Sequence, residues 1–229
     1  MYKNKSFLAI IPARGGSKRL PKKNILNLND KPLISYSIEA GLKSKYIDNI
    51  IVTSDNDEIL DISKQYNINT IKRPKYLASD TSTSFDAIKH TMDNSNYYDY
   101  IILLQPTSPL RTSEHIDEAI ELLEIKNADA IISVCEMDHN PLWSNVINKD
   151  LSMQYFLKDE ILNKRSQDLK TYYRLNGAIY ICENKKLLEN RTFFLNKNIF
   201  AYIMNKNNSV DIDNLLDFKF VEFLMQTYR

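Results

Sequence analysis

Residues 7–24 read FLAIIPARGGSKRLPKKN, and the stretch changes character at Pro12. Phe7 to Ile11 is a continuous apolar run, the pattern of a strand buried on both faces. Between Ala13 and Asn24 stand Arg14, Lys18, Arg19, Lys22 and Lys23, with no acid among them. Gly15 and Gly16 sit inside this cluster, where they are expected to let the backbone turn with positive φ and bring its N–H groups close to a ligand. A flexible cationic loop at the end of a buried strand suits a polyphosphate. Neither GxxxxGK[ST] nor GxGxxG occurs, so the loop is neither a Walker A motif nor a dinucleotide fingerprint. The competing reading, a solvated basic turn, leaves the glycine pair and its five cations without a purpose.

Working outward, the chain alternates between short apolar strands and amphipathic helices. Apolar positions at Ile34, Ile38 and Leu42 give a helix over 33–43, and Asp57 to Tyr66 gives another. Strands are expected at 50–53, 70–72, 100–104, 130–134, 178–182 and 199–204. Ser84 is positioned to cap a helix over 85–92, and Ser113 starts a further one. A closing helix would place Leu216, Phe220, Phe223 and Leu224 on one face. This order predicts an α/β fold, a mostly parallel twisted sheet with helices on both faces, built from right-handed crossovers. In such sheets ligands bind beyond the carboxyl ends of the strands, so the loops at 12–24, 54–57, 73–84 and 105–113 should gather into one site. The pattern breaks from Met137 to Tyr173, which is polar, aromatic and irregular. It reads as an excursion that covers the site or meets a second subunit.

Composition limits the alternatives. The 229 residues suffice for one large α/β domain over 1–229. A net charge of +1 gives no global attraction to nucleic acid or an anionic membrane. No apolar run approaches the ~20 residues that cross a bilayer. MYKNKS leads into the first strand without signal-peptide features. Cys135 and Cys182 fall in apolar strands and read as reduced core residues of a cytoplasmic protein.

Asp211 and Asp213, two apart in an extended segment, direct both carboxylates to one side while Val210 and Ile212 face the other. Such a pair is relieved by Mg²⁺ with phosphate oxygens; acids at a helix N-terminus would look the same. His90, His115 and His139 have no ligand spacing. The serines of 79–84 lack a triad context. Asp55 closes a strand as loop chemistry, and Arg111 is as readily a surface ion pair as a functional group.

Taken together, IIPARGGSK…PKKN, RPKYLASDTSTS, LLQPTSPLRT, RLNGAIY and SVDID resemble, in order and almost end to end, the CMP-sialic acid synthetases, or acylneuraminate cytidylyltransferases. The resemblance implies a Rossmann-like nucleotidyltransferase moving CMP from CTP to the anomeric hydroxyl of a nine-carbon 2-keto sugar acid, with Mg²⁺ (Mn²⁺ as substitute) and loss of pyrophosphate. Carried over by position, Arg14, Lys23 and Asn24 would hold the phosphates and nucleotide, with Ser17 and Lys18 in the same loop. Arg73, Ser82 and Ser84 would line the cytidine pocket. Gln105 would touch the sugar, Arg174 and Asn176 would lie beside it, and Tyr180, Phe193 and Phe194 would wall its acyl group. Asp211 and Asp213 would be the metal carboxylates, and Arg14, Lys23 and Asp213 the catalytic set. The excursion, 137–173, would be a dimerisation element reaching toward a partner's site, making a homodimer.

Four positions depart from the family pattern. Arg19 replaces the usual glycine, and Lys170 a proline. Ser166 stands where the sugar carboxylate's arginine is expected, leaving Arg165 one place early to bind it. Trp143, in HNPLW, replaces a lysine and, with SKRLPKKN, resembles the legionaminic acid branch. The runners-up are synthetases for CMP-legionaminic, CMP-pseudaminic or 3-deoxy-manno-octulosonic acid, and a catalytically silent nucleotide-binding homologue.

Overall fold

The computed structural model describes residues 1–227. Strand β1 (Phe7–Pro12) is the hinge of the architecture. Its odd positions, Phe7, Ala9 and Ile11, belong to one buried layer, and its even positions, Leu8 and Ile10, to the opposite one. That alternation is what a strand covered on both faces must do.

The chain continues through a short hairpin, β2 (Asn27–Leu28) and β3 (Lys31–Pro32), into helix α1 (Leu33–Lys43). Then come β4 (Asn49–Ser54), α2 (Asp57–Lys64), β5 (Asn69–Lys72), α3 (Ser84–Asp93), β6 (Tyr100–Leu103), α4 (Ser113–Lys126) and β7 (Ala130–Glu136). After a long irregular segment follow β8 (Tyr173–Glu183), α5 (Asn184–Asn190), β9 (Ile199–Ile203) and α6 (Leu215–Thr227). The main sheet has seven strands in the order β5-β4-β1-β6-β8-β7-β9. β5, β4, β1 and β6 pair in parallel, β7 pairs in parallel with β9, and β8 runs antiparallel to both β6 and β7. The sheet is therefore mostly parallel, as the alternation of elements requires.

Residues from α1, α2 and α4, including Ile34, Ile38, Ile59, Ile116 and Ile120, pack in the layer of Phe7 and Ile11. Phe85, Ile88 and Leu187, from α3 and α5, pack in the layer of Leu8 and Ile10. A third, smaller cluster joins Leu20 of the cationic loop to Leu28, Leu33, Ile212, Phe218 and Val221. It fastens the loop to the segment bearing Asp211 and Asp213.

Several local expectations are corrected. Thr83, not Ser84, caps α3, through a capping box with Asp86. Helix α5 lies where no helix was expected, and β8 begins at Tyr173 rather than Ala178. In α6 the buried face is Phe218, Val221 and Leu224; Leu216, Phe220 and Phe223 are exposed. The helix is apolar nearly all round, so periodicity had two faces to choose from. Between β7 and β8 the chain forms only turns and two short 3₁₀ segments, Pro141–Trp143 and Ser166–Asp168.

Candidate active site

Loops beyond the carboxyl ends of β1, β5 and β6 enclose a cleft of about 650 Å³. The loop after β1 supplies Arg14, Ser17, Lys18, Arg19, Lys23 and Asn24; the loop after β5 supplies Arg73, Ser82 and Ser84; Gln105 and Asp213 complete the opposite side. The expected nucleotide residues thus meet in one place.

The loop after β1 is held from beneath. Asp55 accepts a hydrogen bond from the Gly15 N–H at 3.0 Å, and the buried Asn24 donates Nδ2–H to the Arg14 carbonyl at 3.0 Å. Asp55 therefore does have a task, fixing the loop backbone. The glycine expectation is half right. Neither Gly15 nor Gly16 adopts positive φ; Gly15 is needed because a Cβ there would lie 2.9 Å from Asn56 Cβ, whereas Gly16 faces open space. The glycine with positive φ is Gly177, at +74°.

Two acids partner the loop's cations. Arg14 Nη1 is 3.1 Å from Asp80 Oδ1, and Lys18 pairs with the same carboxylate. Across the cleft, Arg19 Nη1 is 2.6 Å from Asp213 Oδ2, and Lys23 Nζ is 3.9 Å from Asp213 Oδ1 while donating to the Ile212 carbonyl. Burial lowers the Lys23 pKa, with the Arg19 and Arg14 charges acting in the same direction and Asp211 and Asp213 opposing them. Burial likewise lowers the pKa of Arg73, whose Nε lacks a hydrogen-bond partner. Asp80 was not among the expected site residues, and the pairing of Arg19 with Asp213 was not expected. A carboxylate inside a loop of hydroxyls leaves no signal in sequence until the fold brings it to Arg14.

The acid pair sits as its alternation demands: Ile212 is fully buried between Asp211 and Asp213. The Ile212 N–H donates to the Thr107 carbonyl at 2.8 Å, locking the extended segment against the loop after β6. Asp211 opens to solvent, yet the surrounding protein strips enough hydration to raise its pKa. Asp213 adds to that, while a hydrogen bond from Thr107 and the charge of Lys23 oppose it. Excess negative charge at a half-dehydrated carboxylate is what a cation would relieve. Among the described residues no group of three His, Cys, Asp or Glu side chains could hold a metal alone. Two carboxylates completed by phosphate oxygens and water form a donor set that suits a hard divalent cation brought in with a nucleotide.

The remaining expected residues lie along β8 and beside it, outside the cleft lining. Between Ile132 and Val134 the β7–β8 register shifts, because β8 bulges over 176–179. Ser133 Oγ donates to Asn176 Oδ1 at 2.6 Å and accepts from the Ile179 N–H at 2.8 Å. Asn176 Nδ2 donates to Ser209 Oγ at 3.0 Å. Asn176 is 1% exposed, and its amide is bonded within the bulge to Ser133 and Ser209. Arg174 Nη2 donates to the Ser209 carbonyl at 3.2 Å. Tyr180 and Phe193 are buried with ring centroids 5.8 Å apart, and the exposed Phe194 meets the edge of Tyr180 at 6.3 Å. Arg165 is exposed on the excursion and pairs with Asp168 at 3.1 Å, so this chain does not bring it to its own cleft. Arg111 corrects an expectation. It is fully buried, without an acid partner, and forms no surface ion pair.

A mostly parallel twisted sheet with a cationic loop at the end of its first strand, facing Asp213 across a cleft, is the α/β nucleotidyltransferase fold. A family model described as cytidylyltransferase matches residues 8–228, and the chain belongs to that family. It is 37% identical over 220 residues to the N-acylneuraminate cytidylyltransferase of Escherichia coli, covering 96% of this chain and 52% of that protein. The chain therefore spans about half the length of that relative. It is 36% identical to the CMP-N,N'-diacetyllegionaminic acid synthase of Legionella pneumophila over 96% of both chains. It is 31% identical to the pseudaminic acid cytidylyltransferase of Campylobacter jejuni over 95% of both. Among solved structures, a CMP:2-keto-3-deoxy-manno-octonic acid synthetase complexed with CTP has a TM-score of 0.74 at 18% identity, covering 98% of this chain and all of that one, a likeness of fold. No helix among the described residues is long and apolar enough to cross a membrane.

Proposed function

We propose that this chain transfers CMP from CTP to the anomeric hydroxyl of a nine-carbon 2-keto sugar acid, of the sialic, legionaminic or pseudaminic type, and releases pyrophosphate. The observation that carries the reading is that Arg14, Lys18 and Lys23 share one cleft with Asp213, while Asp211, two residues before it, lies within reach of the Lys23 charge. A triphosphate fits between them because it needs cations along its length and a cation-binding acid pair beside the phosphorus under attack.

The protein's task is positioning and charge stabilisation rather than covalent chemistry. Arg14, Lys18 and Lys23 hold the β- and γ-phosphates and stabilise the leaving pyrophosphate, with Asn24 and Ser17 keeping the loop against the nucleotide. Arg73, Ser82 and Ser84 receive the cytidine in a pocket of small hydroxyls that a purine overfills. Gln105, with Arg174, orients the acceptor; Tyr180, Phe193 and Phe194 supply an aromatic surface for its acyl group. Asp211 and Asp213 would hold a divalent cation, Mg²⁺ with Mn²⁺ as substitute. When bound, that cation neutralises phosphate charge and makes the acceptor hydroxyl easier to deprotonate. Arg14, Lys23 and Asp213 form the catalytic set.

Residues 1–229 act as one domain in this reading, in the cytoplasm where CTP is made. The segment 137–173 is a dimerisation and lid excursion. Its exposed Val146, Leu151, Met153 and Tyr155 support a second copy as the surface they cover, and Arg165 would then serve the partner's acceptor carboxylate.

The test is pyrophosphate release with each of CTP, UTP, ATP and GTP, with Mg²⁺, against N-acetylneuraminate, legionaminate, pseudaminate and 3-deoxy-manno-octulosonate. Turnover is expected with CTP and at least one nine-carbon acid. Comparable turnover with two or more nucleotides, or with the eight-carbon acid alone, contradicts the proposal.

A further inference from the structure

Arg111 is the bulkiest of the fully buried side chains, at 2% exposure. Burial alone pushes its pKa down to about 9, which leaves it charged at neutral pH, and no neighbouring charge contributes. Nε and Nη2 have no hydrogen-bond partner. A buried cation without a counter-ion is costly, and an apolar side chain of equal volume is usually the better filler. What Arg111 does that a filler would not lies in its Nη1, which donates to the Gln105 carbonyl at 3.3 Å and to the Ala178 carbonyl at 3.1 Å.

Those two carbonyls belong to separate pieces of the site. Gln105 heads the loop after β6, and Ala178 lies in the β8 bulge directly after Gly177. The two pieces face each other closely: a Cβ on Gly177 would stand 3.4 Å from Gln105 Oε1 and 3.8 Å from Asp211 Cγ. A second tie runs the same way, from Ser108 Oγ to the Asn176 carbonyl at 3.4 Å. The cationic loop after β1 and the serine-rich loop after β5 receive no bond from Arg111.

We propose that Arg111 is a positioning residue for the acceptor half of the site, acting through the Gln105 and Ala178 carbonyls to set the Gln105 amide against the Gly177–Asp211 corner. The inference rests on the acceptor being a sugar acid held at that corner. Its consequence is selective: loss of the clamp misplaces the acceptor and leaves the nucleotide half intact.

The experiment compares the full-length parent with Arg111→Met and Arg111→Lys. CTP affinity is measured by calorimetry, KM for the acceptor by pyrophosphate release, and backbone opening by hydrogen exchange. Arg111→Met should raise the acceptor KM by about tenfold, the effect of losing roughly one net hydrogen bond's worth of positioning, while CTP affinity stays within about threefold. Arg111→Lys, which keeps the charge and a donor, should lie between the two. If Arg111→Met does not fold, the Lys variant alone must show the split. Equal losses for CTP and acceptor, or a fall in kcat with both constants unchanged, would overturn the inference. If the parent turns over no acceptor, the functional proposal fails instead, and exchange decides this one: loosening confined to 105–110 and 175–179 supports it, and unchanged or uniform exchange overturns it.

Discussion

Arg19 Nη1 lies 2.6 Å from Asp213 Oδ2, so an ion pair bridges the cleft between the cationic loop and the acid segment. The pair ties up the carboxylate that a divalent cation would need. If the proposed cation and triphosphate bind here, Arg19 would leave Asp213 as they enter, with the phosphates as its new partner.

Arg19→Ala should then have opposite effects on the two ligands. Both side chains are largely exposed, and such pairs are worth about 0–1 kcal/mol. Mn²⁺ binding without nucleotide, followed by electron paramagnetic resonance, should tighten by up to about fivefold, whereas CTP binding should weaken. Weaker Mn²⁺ binding in the variant would show that Arg19 does not compete for Asp213.

Gly177→Ala tests the corner beside the acid pair. An L side chain at φ +74° is strained, while its Cβ would sit in ordinary contact with Gln105 Oε1 at 3.4 Å. A stability loss of about 1–2 kcal/mol is expected from the backbone conformation alone, measured by urea unfolding, with acceptor turnover falling more than CTP affinity. A variant as stable and as active as the parent would contradict the geometry.

Cys135 and Cys182 are buried and unpaired. Burial, with the charges of Glu183 and Asp129, pushes the Cys182 thiol up to about 12. Its reactive thiolate is therefore nearly absent at pH 8 and gains population only as pH rises toward that value. An aromatic disulfide reagent at pH 8 should label neither cysteine in the native protein and both after denaturation. Rapid native labelling would mean that the sheet opens at β7 or β8.

Much of this was legible in sequence, for reasons particular residues make plain. The alternation of Phe7, Ala9 and Ile11 against Leu8 and Ile10, and the loops that follow each strand, are local patterns, so the sheet and the nucleotide half of the cleft could be read directly. The roles of Asp80 and Arg111, and the pairing of Arg19 with Asp213, could not be read in the same way. Each takes its meaning from a partner distant in the chain: Arg14 is 66 residues from Asp80, Asp213 is 194 from Arg19, and Ala178 is 67 from Arg111. The part Asn176 plays in the bulge, bonded to Ser133 and Ser209, was likewise hidden, because both partners are distant in the chain. The face of α6 was misread because Leu216, Phe220 and Phe223 keep a helical spacing as regular as that of the buried Phe218, Val221 and Leu224.

Under the proposed function Asp211 and Asp213 act on the phosphates, and kcat of Asp213→Asn at matched Mg²⁺ reports on that role. The substitution is nearly isosteric and should leave the fold in place, but under the proposed role it would remove one charged ligand where transition-state charge develops. A fall in kcat of roughly 10²- to 10³-fold is expected, as for other electrostatic deletions, with excess Mg²⁺ or Mn²⁺ restoring only part of it. If the acids merely complement the N-terminus of α6, the change costs at most about 1 kcal/mol of stability and turnover is untouched. A variant turning over within about threefold of the parent, a difference of under 1 kcal/mol in the barrier, would contradict the account.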